Sequence, residues 1–253
     1  MSRPAKLPWI AALAAGFIFG QPGDLPKFEV ASIRPSDPHR VAPKSVSDPE
    51  RFVRGRATVK SLVEWAYDIE FYQLDGGPEW SGSRSSAYDV QATTGGTADM
   101  RQIKLMVQSL LADRFQLKFH REMRQLPVYA LVVANSGPKL RIAKDLEFGE
   151  KPRMALLYGT ISARSAGAAD LAKILAPVAG RPVFAKTGLD GAYDFEVQFD
   201  QSSAGTHPDP RPRDAGQPSI FTALQEQLGL RLEPQRAMLE ILVIDNIERP
   251  SPN

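Results

Sequence analysis

Residues 110–133, LLADRFQLKFHREMRQLPVYALVV, constrain the fold most. The stretch begins in the apolar stripe of a helix, passes through an alternating segment and ends in an uncharged run, VYALVV. Periodicity reads it as a helix end, a strand, a tight reversal and a second strand. A weaker copy occupies residues 223–244, ALQEQLGLRLEPQRAMLEILVI. An offset of 113 carries Phe115, Leu117 and Phe119 onto Leu228, Leu230 and Leu232, and Val128 onto Ile241. Upstream, Tyr88-Asp89-Val90 recurs as Tyr193-Asp194-Phe195 at an offset of 105. The difference of 8 matches a longer loop at 201–217, rich in Ser, Gly, Pro and Asp. Similarity at one long period predicts two related units rather than a solenoid of many.

The rest of the chain is read around these two stretches. Residues 27–34 alternate as a strand, 35–49 are a Pro- and Ser-rich loop, and 52–57 form a short strand. Thr58 caps a helix over 59–67 with Leu62, Val63 and Ala66 on one side. A strand over 87–92 precedes a helix over 99–114, in which Ile103, Met106, Val107, Leu110 and Leu111 make a single stripe. Burying five such side chains contributes roughly 7–15 kcal/mol as an upper bound, at about 1.5–3 each, so the stripe must lie against a sheet. In the second half, 154–163 reads as a strand, 168–179 as a helix, 182–185 as a strand, 187–191 as a turn and 192–199 as a strand. Ser219 caps a helix over 220–228, and strands over 230–233 and 238–247 close the chain. The expectation is an α+β protein of internally duplicated β-α-β-β-α-β-β units, with two mixed or antiparallel sheets and helices on one face. A leader at 1–20, a strand and loop at 21–50, and repeats at 51–145 and 146–253 follow.

The leader carries Arg3 and Lys6, then WIAALAAGFIF, then Gly20: the order of an export signal. Its apolar run falls short of the roughly 20 residues that span a bilayer. A retained N-terminal anchor is the alternative, and nothing after the leader reads as a membrane span. The whole chain has 31 basic and 29 acidic residues. Removing Arg3 and Lys6 leaves 29 against 29, which offers no electrostatic footprint for nucleic acid. With no cysteine, disulfides, thiolate nucleophiles and Cys-ligated zinc are excluded.

Eight ordered motifs, FEVASIRPSDP, GGPEW, LLADRFQLKFHRE, LPVYALVV, GPKL, KTGLDGAYDF, ALQEQLGLRLE and VIDNIERPSPN, resemble a soil-associated, Acidobacteria-type family of exported proteins known as a domain of unknown function. The resemblance runs from about Phe28 to Asn253. It carries no catalytic residues over. Some members of that family carry the domain behind a membrane metallopeptidase similar to the β-lactam sensor-transducers, which implies an extracytoplasmic sensing or binding role. This chain has no H-E-x-x-H.

Three groups of residues stand out chemically. Lys186-Thr187-Gly188 matches the K-T-G of penicillin-recognising enzymes, and Ser136-Gly137-Pro138-Lys139 matches their S-x-x-K in form. That chemistry needs the serine at a helix start with the lysine one turn on. Gly-Pro between them opposes a helix, and no S-D-N-like element follows, so Lys186 and Thr187 read as a turn. His120 and Glu122 share a strand face, as a pair able to move a proton or give two metal ligands; zinc takes at least three from protein, so the pair reads as a salt bridge. His39 and His207 lie in Pro-rich loops and supply no obvious third ligand. Tyr67, Tyr72 and Trp80 flank the Gly76-Gly77-Pro78 turn, an aromatic set able to stack on sugar or peptide or to plug a core. No catalytic set, metal site or cofactor is assigned. The expected role is a non-enzymatic module, periplasmic or extracellular, for a protein, peptide or glycan of the cell envelope. The alternative is a secreted hydrolase with an unrecognised site.

Overall fold

Thr58 opens the first helix: its Oγ1 accepts from the Ser61 N–H at 3.1 Å, pairing one of the donors that a helix start leaves unsatisfied. Helix α1 (Val59–Tyr67) buries Val59, Leu62, Val63 and Ala66. Helix α2 (Met100–Phe115) starts from a reciprocal cap, in which Gln102 N–H donates to Asp99 Oδ1 at 2.7 Å and Asp99 N–H to Gln102 Oε1 at 2.8 Å. Its expected stripe is buried and extends to Phe115. The computed structural model describes residues 25–143, 153–200 and 216–250. The leader, His207 and most of the 201–217 loop lie outside them.

The strands are β1 (Val30–Pro35), β2 (Val46–Asp48), β3 (Arg51–Ala57), β4 (Leu74–Gly76) and β5 (Tyr88–Thr93). The chain continues through β6 (Lys118–Val133), β7 (Arg141–Ile142), β8 (Arg153–Leu157), β9 (Thr160–Ala166), α3 (Ala168–Ala179), β10 (Val183–Ala185) and β11 (Tyr193–Gln198). It closes with α4 (Ile220–Ala223), a π-helical turn Leu224–Leu228 and β12 (Leu230–Asn246). The class is α+β, as expected, but the described residues form three four-stranded sheets rather than two. Their orders are β1-β5-β3-β2, β10-β6-β12-β4 and β7-β11-β9-β8. The first and third are antiparallel throughout, and the second is mixed because β10 and β4 join it in parallel.

Two strand readings are corrected. Residues 118–133 and 230–246 are each one long strand, not a strand, a reversal and a strand, and the two pair antiparallel along their length. Pro127 lies within β6. Its neighbour Tyr129 sends its N–H outward to Pro182 O, so alternation puts the missing Pro127 donor on that outer side, where the β6–β12 ladder does not need it. Pro234 stands opposite Tyr129 and is spared in the same way. Residues 154–163, expected as one strand, instead divide between β8 and β9. The chain reverses at Tyr158-Gly159, both at positive φ (51° and 77°), and pairs Leu157 with Thr160. Such a two-residue loop matches the twist of the strands it joins.

The chain divides into two compact units. One takes the described residues through Tyr67, Trp80–Gln116 and those from Glu248; the other takes the described parts of Asp68–Glu79 and Leu117–Ile247. In the first, Tyr88 meets Phe115 edge-on at 5.4 Å and Phe52 is fully buried against Trp65. In the second, the core gathers Leu131, Ile161, Leu171, Leu175, Val197, Leu224 and Leu228 from strands and helices. At the end of the π-helical turn Gly229 is required twice over: its φ is +64°, and a Cβ there would lie 1.9 Å from Gly137 O.

Candidate functional site

The alternation of β6 places His120, Glu122 and Arg124 on one face of the central sheet. Asp245 of β12 approaches the imidazole, with His120 Nδ1 and Asp245 Oδ1 2.8 Å apart. An ionised carboxylate only accepts, so Nδ1 carries the proton in this contact. Glu122 Oε2 lies 3.9 Å from the other ring nitrogen, while its Oε1 accepts from Arg124 Nε, and Arg124 also binds Asp75. Asp75 first, then Glu122, holds the Arg124 guanidinium above its usual value. The His120–Glu122 pair is thus one part of a partly exposed ion-pair chain. Among the described residues no group of three or more His, Asp or Glu has a metal-holding arrangement.

The other sequence candidates lie in turns, at a helix end and beside aromatic or cationic partners. Lys186 Nζ donates to Gln235 Oε1 at 2.8 Å and Thr187 Oγ1 accepts from the Leu189 N–H at 3.1 Å, which closes the turn before β11. Ser136 lies in a turn after β6, and Lys139 Nζ donates to Glu226 O at 2.7 Å. Tyr67 is the last residue of α1. The Trp80 ring lies under the Arg249 guanidinium at 4.8 Å. Tyr72 belongs to the other unit, where its half-buried ring meets the edge of Phe71 and packs on the core. Burial, with a smaller contribution from the charge of Glu70, pushes the Tyr72 phenol up.

Two arginine features escaped the sequence reading. Arg54 lies over the rings of Phe52 and Trp65, at 4.6 and 4.7 Å, and donates to the carbonyls of Val46 and Val53. Desolvation lowers its pKa, and the aromatic faces compensate the charge. In the second unit a cleft of about 1030 Å³ opens over the third sheet. Lys139, Arg141, Arg153 and Arg164 line it, against two acids, Asp194 and Glu196. Arg164 of β9 stands directly opposite Arg153 of β8, and Arg141 of β7 opposite Asp194 of β11. Asp194 Oδ1 already accepts from the Ser165 N–H at 2.9 Å, and Glu196 Oε1 from Gln198 Nε2 at 2.9 Å. The exposed Ser162 side chain shares the face of Arg164, opposite Glu196. Arg153 and the alternating Ser162 and Arg164 are nine or more residues apart in sequence, and only the hairpin brings them together.

Compared with known families, the chain matches DUF3738, a protein family of unknown function, over residues 60–247. It belongs to that family. No curated protein and no solved structure matches the chain. The DUF3738 match takes in both His120 and the whole cationic cleft.

Proposed function

We propose that this DUF3738 chain is an exported, non-enzymatic binding or sensing module that meets its ligand at the cleft over the third sheet. The observation that carries the reading is the cleft itself: large, open and lined by four cations for two acids. The ordinary acid–base candidates are committed elsewhere, His120 to Asp245 and Lys186 to Gln235. The ligand is a protein, peptide or glycan of the cell envelope. Export rests on the leader. Periplasmic or extracellular forms should begin near Gln21, and an N-terminally anchored form would keep the leader.

Internal duplication is part of the same proposal. An offset of 109 carries β3 at 51–57 onto β9 at 160–166. Strand β5, which holds Tyr88, is second in its sheet, as β11 with Tyr193 is second in its own. The offset of 113 makes Gln125 and Met238 equivalent, and they pair with each other at the middle of the β6–β12 ladder. A duplicated unit forming its own two-fold pairing accounts for all three.

A photo-crosslinking side chain at Ala155, in the cleft, tests the function. Crosslinks to an envelope component from Ala155 and none from the exposed Arg101 are expected, on a native chain whose N-terminus is sequenced near Gln21. The second reading, a secreted hydrolase, is favoured only by Ser162 lying in the cleft opposite Glu196. Hydrolysis abolished by Ser162→Ala would replace the binding reading.

A further inference from the structure

We infer that the cleft binds an extended acidic peptide, added as a strand along β8 and held through its carboxylates by Arg153 and Arg164. The inference rests on the binding reading of the same cleft. Charge is its first support. Among the described residues Arg164 enters no ion pair, and the two carboxylates of the cleft already accept from Ser165 and Gln198. Arg164 and Arg153 occupy directly opposed positions of an antiparallel pair. Two cations so placed concentrate positive charge beside β8, and an acidic ligand lying along them meets both.

Geometry selects the kind of anion. β8 ends its sheet, and the described residues place no strand on its outer side. A peptide backbone can satisfy that edge with main-chain hydrogen bonds, as strand-adding ligands do, whereas a polysaccharide cannot. A strand added there repeats the two-residue alternation of β8, so every second side chain faces the Arg153–Arg164 row. Leu157 and Tyr158, 61% and 69% exposed at the end of β8, offer apolar contacts for residues beyond the acids.

The test uses the full chain and a blocked, fluorescein-labelled octapeptide of alternating Glu and Thr, read by anisotropy. Binding is expected, with none for the Lys/Thr counterpart. Arg153→Gln and Arg164→Gln should each weaken it by about tenfold, and more together, with the loss shrinking as salt rises. N-methylation of alternate peptide amides should also weaken it, because the edge pairing is lost. Arg164 enters no ion pair among the described residues, so Arg164→Gln should keep the melting temperature of the parent, which separates lost binding from lost folding. Equal binding of the N-methylated peptide, or stronger binding of polygalacturonate than of the peptide, would overturn the strand-added acidic ligand. If no anion binds yet the Ala155 crosslink persists, this inference fails and the module reading stands; if both are absent, both fail.

Discussion

Asp89 Oδ1 accepts the backbone N–H of Arg56 at 2.8 Å, and Arg56 stands at φ 50° in the bulge where β3 loses register with β5. A non-glycine residue in that region is strained, and the carboxylate satisfies the N–H that the bulge takes out of the ladder. Asp194 and Ser165, at φ 53°, repeat the arrangement at 2.9 Å where β9 loses register with β11. In each case the aspartate is the middle residue of the Tyr-Asp-Val or Tyr-Asp-Phe marker.

Asp89→Ala and Asp194→Ala should therefore each destabilise the protein by about 0.5–1.5 kcal/mol, the net contribution of such a hydrogen bond. Arg56→Gly in the Asp89→Ala background should recover part of the loss by relieving the positive φ. Urea melts of the single and double variants measure both; an Asp89→Ala melt coincident with the parent would remove the bulge role.

Leu111 and Leu224 are 0% exposed in the two units. Leu111→Ala and Leu224→Ala should each cost about 2–5 kcal/mol, the range for buried leucines. Chemical denaturation checks this, and a loss under 1 kcal/mol would contradict the packing described.

Two of the left-handed helix ends, at Gly229 and Gln116, differ in what they tolerate. Gly229→Ala should destabilise by more than about 1 kcal/mol, since both the positive φ and the contact with Gly137 O oppose a Cβ. Gln116 ends α2 at φ 52° with a side chain already in place. Gln116→Gly should accordingly be neutral or stabilising by about 0.5–1 kcal/mol. Thermal melts of the two variants should move in opposite directions.

Tyr72 should mark the alkaline limit of stability. Its phenol is raised above the ordinary value of 10 by burial, then by Glu70. A raised folded-state pKa means that the stabilising contribution is complete below the unfolded value and is lost as pH rises through the folded one. Tyr72→Phe should remove that part of the decline above pH 10. The measurement is the urea midpoint against pH for the parent and the variant.

Ser136 lies in a turn, and Lys139 is held by Glu226 O. No covalent penicillin adduct is expected, and Ser136→Ala should leave the circular dichroism spectrum unchanged. Mass spectrometry after incubation with a labelled β-lactam decides it: an adduct on Ser136 would restore the acyl-enzyme reading.

Local chemistry was legible in the sequence. The stripe of α2, the Thr58 and Ser219 caps and the bounds of α3 follow from contacts three or four residues apart, whose partners are present in any short window. The turn at Lys186–Thr187 was legible for the same reason. The strands were less so. Pro127 reads as a breaker until β12 and β10 show which side of β6 its missing donor faces. Tyr158-Gly159 carries none of the usual Asn-Gly or Asp-Gly hairpin chemistry. Read as one strand, residues 153–164 would hold Arg153 and Arg164 about 36 Å apart, at some 3.3 Å per residue. Folded as a hairpin they are cross-strand partners, and β7 brings Arg141 to the same cleft. The sequence alone therefore determined the class, the helices and the caps, because their energy is local. The tertiary structure decided the number of strands, the register and the cationic cleft, because the energy of a ladder is realised only with partners far along the chain.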